Sequence, residues 1–86
     1  WILEELATSG FDARLDETEG HPVCFASWTQ AVGAPTVLIY GHYDVQPPEP
    51  LELWRHGAFE PTIEGDDLIA RGATDDKGQV LALVRG

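Results

Sequence analysis

"TVLIYGHYDVQP", residues Thr36 to Pro47, opens with five residues that are β-branched, aliphatic or aromatic without a break. An extended segment of that composition is hydrophobic on both faces, the pattern of a strand buried inside a sheet and not of one lying on a surface. The spacing therefore predicts a central strand over Thr36–Tyr40, with "AVGAP", Ala31 to Pro35, turning the chain into it. At Gly41 the character changes. "GHYDVQPPEPLELWRHG", Gly41 to Gly57, contains three prolines, which bar a regular helix or inner strand and predict a long ordered loop. Loops that follow buried strands are where binding and catalytic groups concentrate.

On the N-terminal side, "WILEELATSG" reads as an amphipathic helix. Trp1, Ile2, Leu3, Leu6 and Ala7 fall on one side, Glu4 and Glu5 on the other, and Ser9-Gly10 supplies the stop. Phe11–Leu15 and Val23–Thr29 alternate as strands across the polar turn "DETEGHP", with Phe25 and Trp28 on opposite faces. On the C-terminal side, Phe59–Glu64 and Leu68–Arg71 flank "GDD" as a hairpin with Gly65 in its turn. Lys77–Arg85 then places Val80, Leu81 and Val84 on one helical face, with Asp75 or Asp76 as N-cap. The order helix, strands, loop, hairpin, helix predicts the α/β class: part of an α/β/α sandwich around a mixed sheet that these residues leave incomplete.

Length and charge narrow the function. Eighty-six residues make at most one small domain. The chain opens on a helix already under way, contains no methionine and closes on a helix that has barely begun to repeat, so it reads as a piece of a larger protein. Fifteen acidic against five basic residues give a net charge of −10, which repels nucleic acid and anionic membranes and attracts cations. The single cysteine, Cys24, excludes an internal disulfide and a thiolate zinc cluster, and fits a reducing compartment, so a cytoplasmic location is the expectation.

Two places carry candidate chemistry. His42 and Asp44 lie just past the predicted strand, two residues apart, so that an extended backbone puts imidazole and carboxylate on one face. Ligands of open α/β sheets sit at such strand ends. A neutral imidazole binds metal, and a nearby carboxylate either ligates or holds the ring's tautomer; the same pair also serves as an ordinary turn. In "ATDDKG", Ala73 to Gly78, adjacent acids stand at a helix start, where one can cap and the other is left to aim elsewhere. A carboxylate can bridge two divalent cations about 3.5 to 4 Å apart, with Lys77 to neutralise or orient the spare acid. His21 and His56 read as surface residues, Trp28 and Trp54 as packing, Cys24 as a small core residue and "EGDD" as a solvated turn, because it lacks the alternating ligands of a calcium loop.

"GHYDVQP" followed 33 positions after its histidine by "RGATDDKG" resembles the co-catalytic zinc metallopeptidase family of carnosinase-like dipeptidases, carboxypeptidase G, aminoacylase, acetylornithine deacetylase and succinyl-diaminopimelate desuccinylase. The wording "HYDVQP" and "TDDKG" looks most like the dipeptidase branch. The resemblance implies that residues 1–86 are the N-terminal part of a metallopeptidase catalytic domain, with His42 a ligand of one zinc, Asp75 a carboxylate bridging two, Asp44 a catalytic residue that orients the histidine from behind and supports the base, and a cis peptide between Asp75 and Asp76. It further implies two zinc ions, replaceable by manganese or cobalt, a homodimer built through a second domain, and hydrolysis of a peptide bond in dipeptides or short peptides. The alternatives are an N-acyl amino acid deacylase of the same family and a non-catalytic scaffold that has lost distal ligands. The family's Glu-Glu pair, further acid and distal histidine do not lie within these residues, and two ligands cannot complete zinc sites that each want about four donors.

Overall fold

The computed structural model describes residues 1–86, which form two compact units, Trp1–Ile39 and Tyr40–Val84. The class is α/β. In the first unit, helix α1 (Ile2–Thr8) lies against an antiparallel hairpin of β1 (Asp12–Asp16) and β2 (Val23–Ser27). Ile2, Leu3 and Leu6 are half-buried on that side, whereas Trp1 and Ala7 are exposed. The helix ends as the Ser-Gly signal predicts: the Gly10 N–H donates to the Ala7 carbonyl and the Phe11 N–H to that of Leu6, with Gly10 at φ +89°. This pair of bonds is a Schellman stop, which needs a left-handed residue and so favours glycine.

The β1–β2 register sets Arg14 opposite Phe25 and Leu15 opposite Cys24. Arg14 lies 4.2 Å over the Phe25 ring centroid and pairs with Asp16 at 2.8 Å, so its stem covers apolar surface while its head stays in water.

In the second unit the long proline-bearing loop holds one 3-10 turn, Leu51–Leu53, preceded by a cis Glu49–Pro50 bond. Trp54 donates its indole N–H to the Pro48 carbonyl (2.7 Å) and stacks under the Arg71 guanidinium at 5.1 Å. Strands β3 (Thr62–Glu64) and β4 (Asp67–Ile69) form the expected hairpin around Gly65-Asp66, shorter than predicted because the Arg71 N–H, which a longer ladder would give to Glu60, goes to the Ala58 carbonyl at 2.7 Å. Helix α2 (Gln79–Arg85) closes the chain.

Three expectations are corrected. Thr36–Tyr40 is not a strand, and no mixed sheet forms: both sheets are two-stranded and antiparallel, and neither carries a third strand. Val37, Leu38 and Tyr40 are 79, 89 and 87 % exposed. A strand exists through backbone hydrogen bonds to a neighbour; the apolar run supplies the preference, but no segment of these residues supplies the ladder. Nor does Asp75 or Asp76 cap α2. Its N-cap is Gly78, with no side-chain cap bond, and the preceding Ala73–Gly78 is an irregular helical turn broken at Asp75 (φ −118°, ψ 91°). Ala58 is the one buried apolar residue, so the fold rests mainly on backbone bonds and half-buried side chains. No helix is long and apolar enough to cross a membrane.

Candidate metal centre

Two segments of the second unit meet: the loop that begins at Gly41 and the irregular turn Ala73–Gly78. Glycine makes the approach possible. A Cβ on Gly72, which also holds φ +81°, would overlap the Val45 side chain, and one on Gly41 would come within 2.6 Å of Val80 Cγ2.

The approach brings His42, Asp44 and Asp75 together. His42 Nδ1 lies 3.1 Å from Asp44 Oδ1 and 3.2 Å from the Asp44 carbonyl oxygen, while Nε2 lies 2.9 Å from Asp75 Oδ1. Both ring nitrogens thus face oxygens that only accept. A neutral imidazole has one N–H and one lone pair, so one of these contacts needs a second proton or a cation. The protein's own electrostatics point the same way: the Asp75 hydrogen bond, followed by the carbonyl and carboxylate of Asp44, holds the His42 pKa above its ordinary 6.5 against a partial loss of water that lowers it.

This donor set fits a zinc-type ion. With Nδ1–H held by Asp44, the Nε2 lone pair is presented toward Asp75, the arrangement in which a histidine ligates with its other nitrogen fixed by a carboxylate. No group of three or more His, Cys, Asp or Glu side chains converges in a way that could hold a metal ion, so these residues supply donors of the right type and not a complete site. The peptide bond between Asp75 and Asp76 is cis.

The neighbours of Asp75 do what the sequence does not show. Asp76 Oδ2 accepts the His42 backbone N–H at 3.2 Å, and Lys77 Nζ donates to the Tyr43 carbonyl at 2.8 Å, where charge balance with a spare acid was expected. Their only signal in sequence is adjacency, because residues in an irregular turn point in unrelated directions. His56 stands apart from this cluster, with Nε2 2.5 Å from Glu64 Oε1, and Arg55 pairs with the same carboxylate.

The profile of the peptidase family M20/M25/M40 matches residues 38–86, which include both loops. The chain belongs to this peptidase family. It is 40 % identical over 87 residues to a succinyl-diaminopimelate desuccinylase of Xanthomonas euvesicatoria pv. vesicatoria (strain 85-10), covering 96 % of this chain and 22 % of that protein. It is 39 % identical over 84 residues to the enzyme of that name from Aromatoleum aromaticum, covering 96 and 21 %, and 40 % identical over 84 residues to that of Alkalilimnicola ehrlichii, covering 96 and 22 %. The chain therefore spans about a fifth of the length of these curated relatives. No solved structure matches.

Proposed function

We propose that the full-length protein is a zinc-dependent hydrolase that cleaves the amide bond of an N-acylated amino acid, and that residues 1–86 contribute the N-terminal part of its catalytic domain. The observation that carries this reading is the His42 imidazole held between Asp44 and Asp75 with both nitrogens on acceptor oxygens, in a chain of the M20/M25/M40 peptidase family.

In this reading His42 offers Nε2 to the metal, Asp44 keeps the proton on Nδ1 and so fixes the ring's tautomer and tilt, and Asp75 offers a carboxylate with two oxygens, enough to bridge two ions. When bound, zinc polarises the amide carbonyl and lowers the pKa of a water molecule. Asp44 and Asp75 also supply negative charge that attracts a divalent cation toward His42. The two ligands here are half of what one zinc takes, so the 86-residue chain alone is expected to bind zinc weakly and to hydrolyse nothing. Measurable amide hydrolysis by that chain contradicts this.

The likeness to enzymes named desuccinylases favours an N-acyl amino acid over a dipeptide. The "HYDVQP" and "TDDKG" wording favours the dipeptide. Both substrate classes are assayed on the full-length protein, with zinc content measured alongside. Asp75→Ala is expected to lose hydrolysis and zinc together; an unchanged zinc stoichiometry sinks the bridging role. Turnover of dipeptides with none of N-succinyl amino acids moves the substrate to the dipeptide class. The same reading includes assembly as a homodimer, checked by the mass of the full-length protein in solution.

A further inference from the structure

We infer that Asp76 and Lys77 are positioning residues that clamp the backbone of the His42 loop and thereby set the aim of the His42 imidazole at Asp75, an inference that rests on the metal-holding role proposed for that pair. Three consecutive residues engage two consecutive ones far earlier in the chain. Asp75 meets the side chain of His42 at 2.9 Å, Asp76 Oδ2 accepts the backbone N–H of His42 at 3.2 Å, and Lys77 Nζ donates to the carbonyl of Tyr43 at 2.8 Å.

The two backbone bonds bracket the peptide plane between His42 and Tyr43. The Cα–Cβ bond of His42 starts from that plane, so the two bonds fix where the side chain is rooted, and the contacts of the ring with Asp44 and Asp75 then select its rotamer. Each bond is charge-assisted and so stronger than its neutral counterpart: a carboxylate accepts from the N–H and an ammonium donates to the carbonyl. The assignment is directional, because exchanging the two charges would set an acid against a carbonyl and an ammonium against an N–H.

Neither residue has another structural task at the helix start, since α2 has no side-chain cap. The two loops approach closely beside these bonds. A Cβ on Gly41 would come within 3.0 Å of Asp76 Oδ2 as well as striking Val80, and a Cβ on Gly72 would lie 3.4 Å from Lys77 Nζ as well as striking Val45. Metal ligands work only when held to within about 0.5 Å, which is what bonds behind the ligands provide.

The test uses the full-length protein and two readouts: zinc affinity by competition with a chromophoric chelator, and amide hydrogen exchange at His42 in the metal-free protein. Asp76→Ala and Lys77→Met are expected to weaken zinc binding about 10- to 100-fold, and Asp76→Ala to speed exchange at the His42 amide. Lys77→Arg keeps a charged donor and is expected to stay near wild type, whereas Asp76→Asn keeps an acceptor oxygen without the charge and is expected to fall between wild type and Asp76→Ala. A merely structural loss does not sort variants by acceptor and donor, so equal losses in the Ala and Asn variants overturn the clamp. If Asp76→Ala fails to fold, Lys77→Met against Lys77→Arg carries the same comparison. His42→Ala separates the two readings. Wild-type zinc affinity in that variant removes the metal role itself; loss of zinc there, with wild-type affinity in Asp76→Ala and Lys77→Met, removes the clamp alone. Should the wild-type protein take no zinc, the exchange rates still decide the clamp.

Discussion

The two units hold their shape by different means. In Trp1–Ile39 the bonds are mainly backbone to backbone between neighbours, the β1–β2 ladder and the Schellman bonds that end α1, and the Thr18 hydroxyl bonds only to backbone groups of its own turn. In Tyr40–Val84 the loops that carry His42 and Asp75 are joined by side chains reaching backbone groups about 34 positions away. A ladder is nearly indifferent to which side chains its strands bear. The loop junction depends on two particular charged residues and on glycines where the backbones approach. Single substitutions should therefore be absorbed in the first unit and felt in the second.

The sharpest break of that contrast is a pair of Gly→Ala changes in the full-length protein. Gly72→Ala meets both a left-handed backbone, about 1–2 kcal/mol, and overlap with Val45, a further ~1–3 kcal/mol. Gly10→Ala has φ +89° but open space, so only the backbone cost of about 1–2 kcal/mol applies. Urea midpoints should separate the two, and equal losses would show that the loop junction tolerates slack. Next in size, Asp44→Asn is expected to weaken zinc about 10- to 100-fold without abolishing it, because it alters the group behind His42 and not a ligand; complete loss of zinc makes Asp44 a ligand itself.

Smaller still, Arg14→Ala removes an exposed ion pair and a ring contact, costs no more than about 1 kcal/mol, and leaves zinc affinity unchanged. A drop in zinc affinity there would tie the first unit to the site. The last effect is a titration. In the metal-free protein the His42 pKa lies above 6.5, chiefly through Asp75. The stability it contributes is present below 6.5 and fades as pH rises through the higher folded-state value. Nuclear magnetic resonance of the ring protons should show Asp75→Asn lowering that pKa more than Asp44→Asn does; the reverse order contradicts the geometry.

The local elements were legible in the sequence because their causes are local. Ser9-Gly10 stops α1, "GDD" turns the second hairpin, and the alternation over Val23–Ser27 makes β2. Thr36–Tyr40 misled because β-branched composition states a preference and not a partner. At the site, the two-residue spacing of His42 and Asp44 could be read directly, whereas their meeting with Asp75 rested on a resemblance, since nothing in the chain near residue 42 marks residue 75 as its neighbour. Asp76 and Lys77 were misread for a physical reason. Their surroundings look like a helix start, where an acid caps, but the backbone break at Asp75 turns Asp76 toward the His42 amide and leaves Lys77 to reach the Tyr43 carbonyl.

The most direct test is a crystal structure of the zinc-loaded full-length protein with anomalous data at the zinc edge. The expected result is a zinc about 2.0–2.2 Å from His42 Nε2 and from an Asp75 oxygen, with Nδ1 still on Asp44. Zinc bound through Nδ1, or bound elsewhere with the His42–Asp75 contact intact, would contradict the central claim.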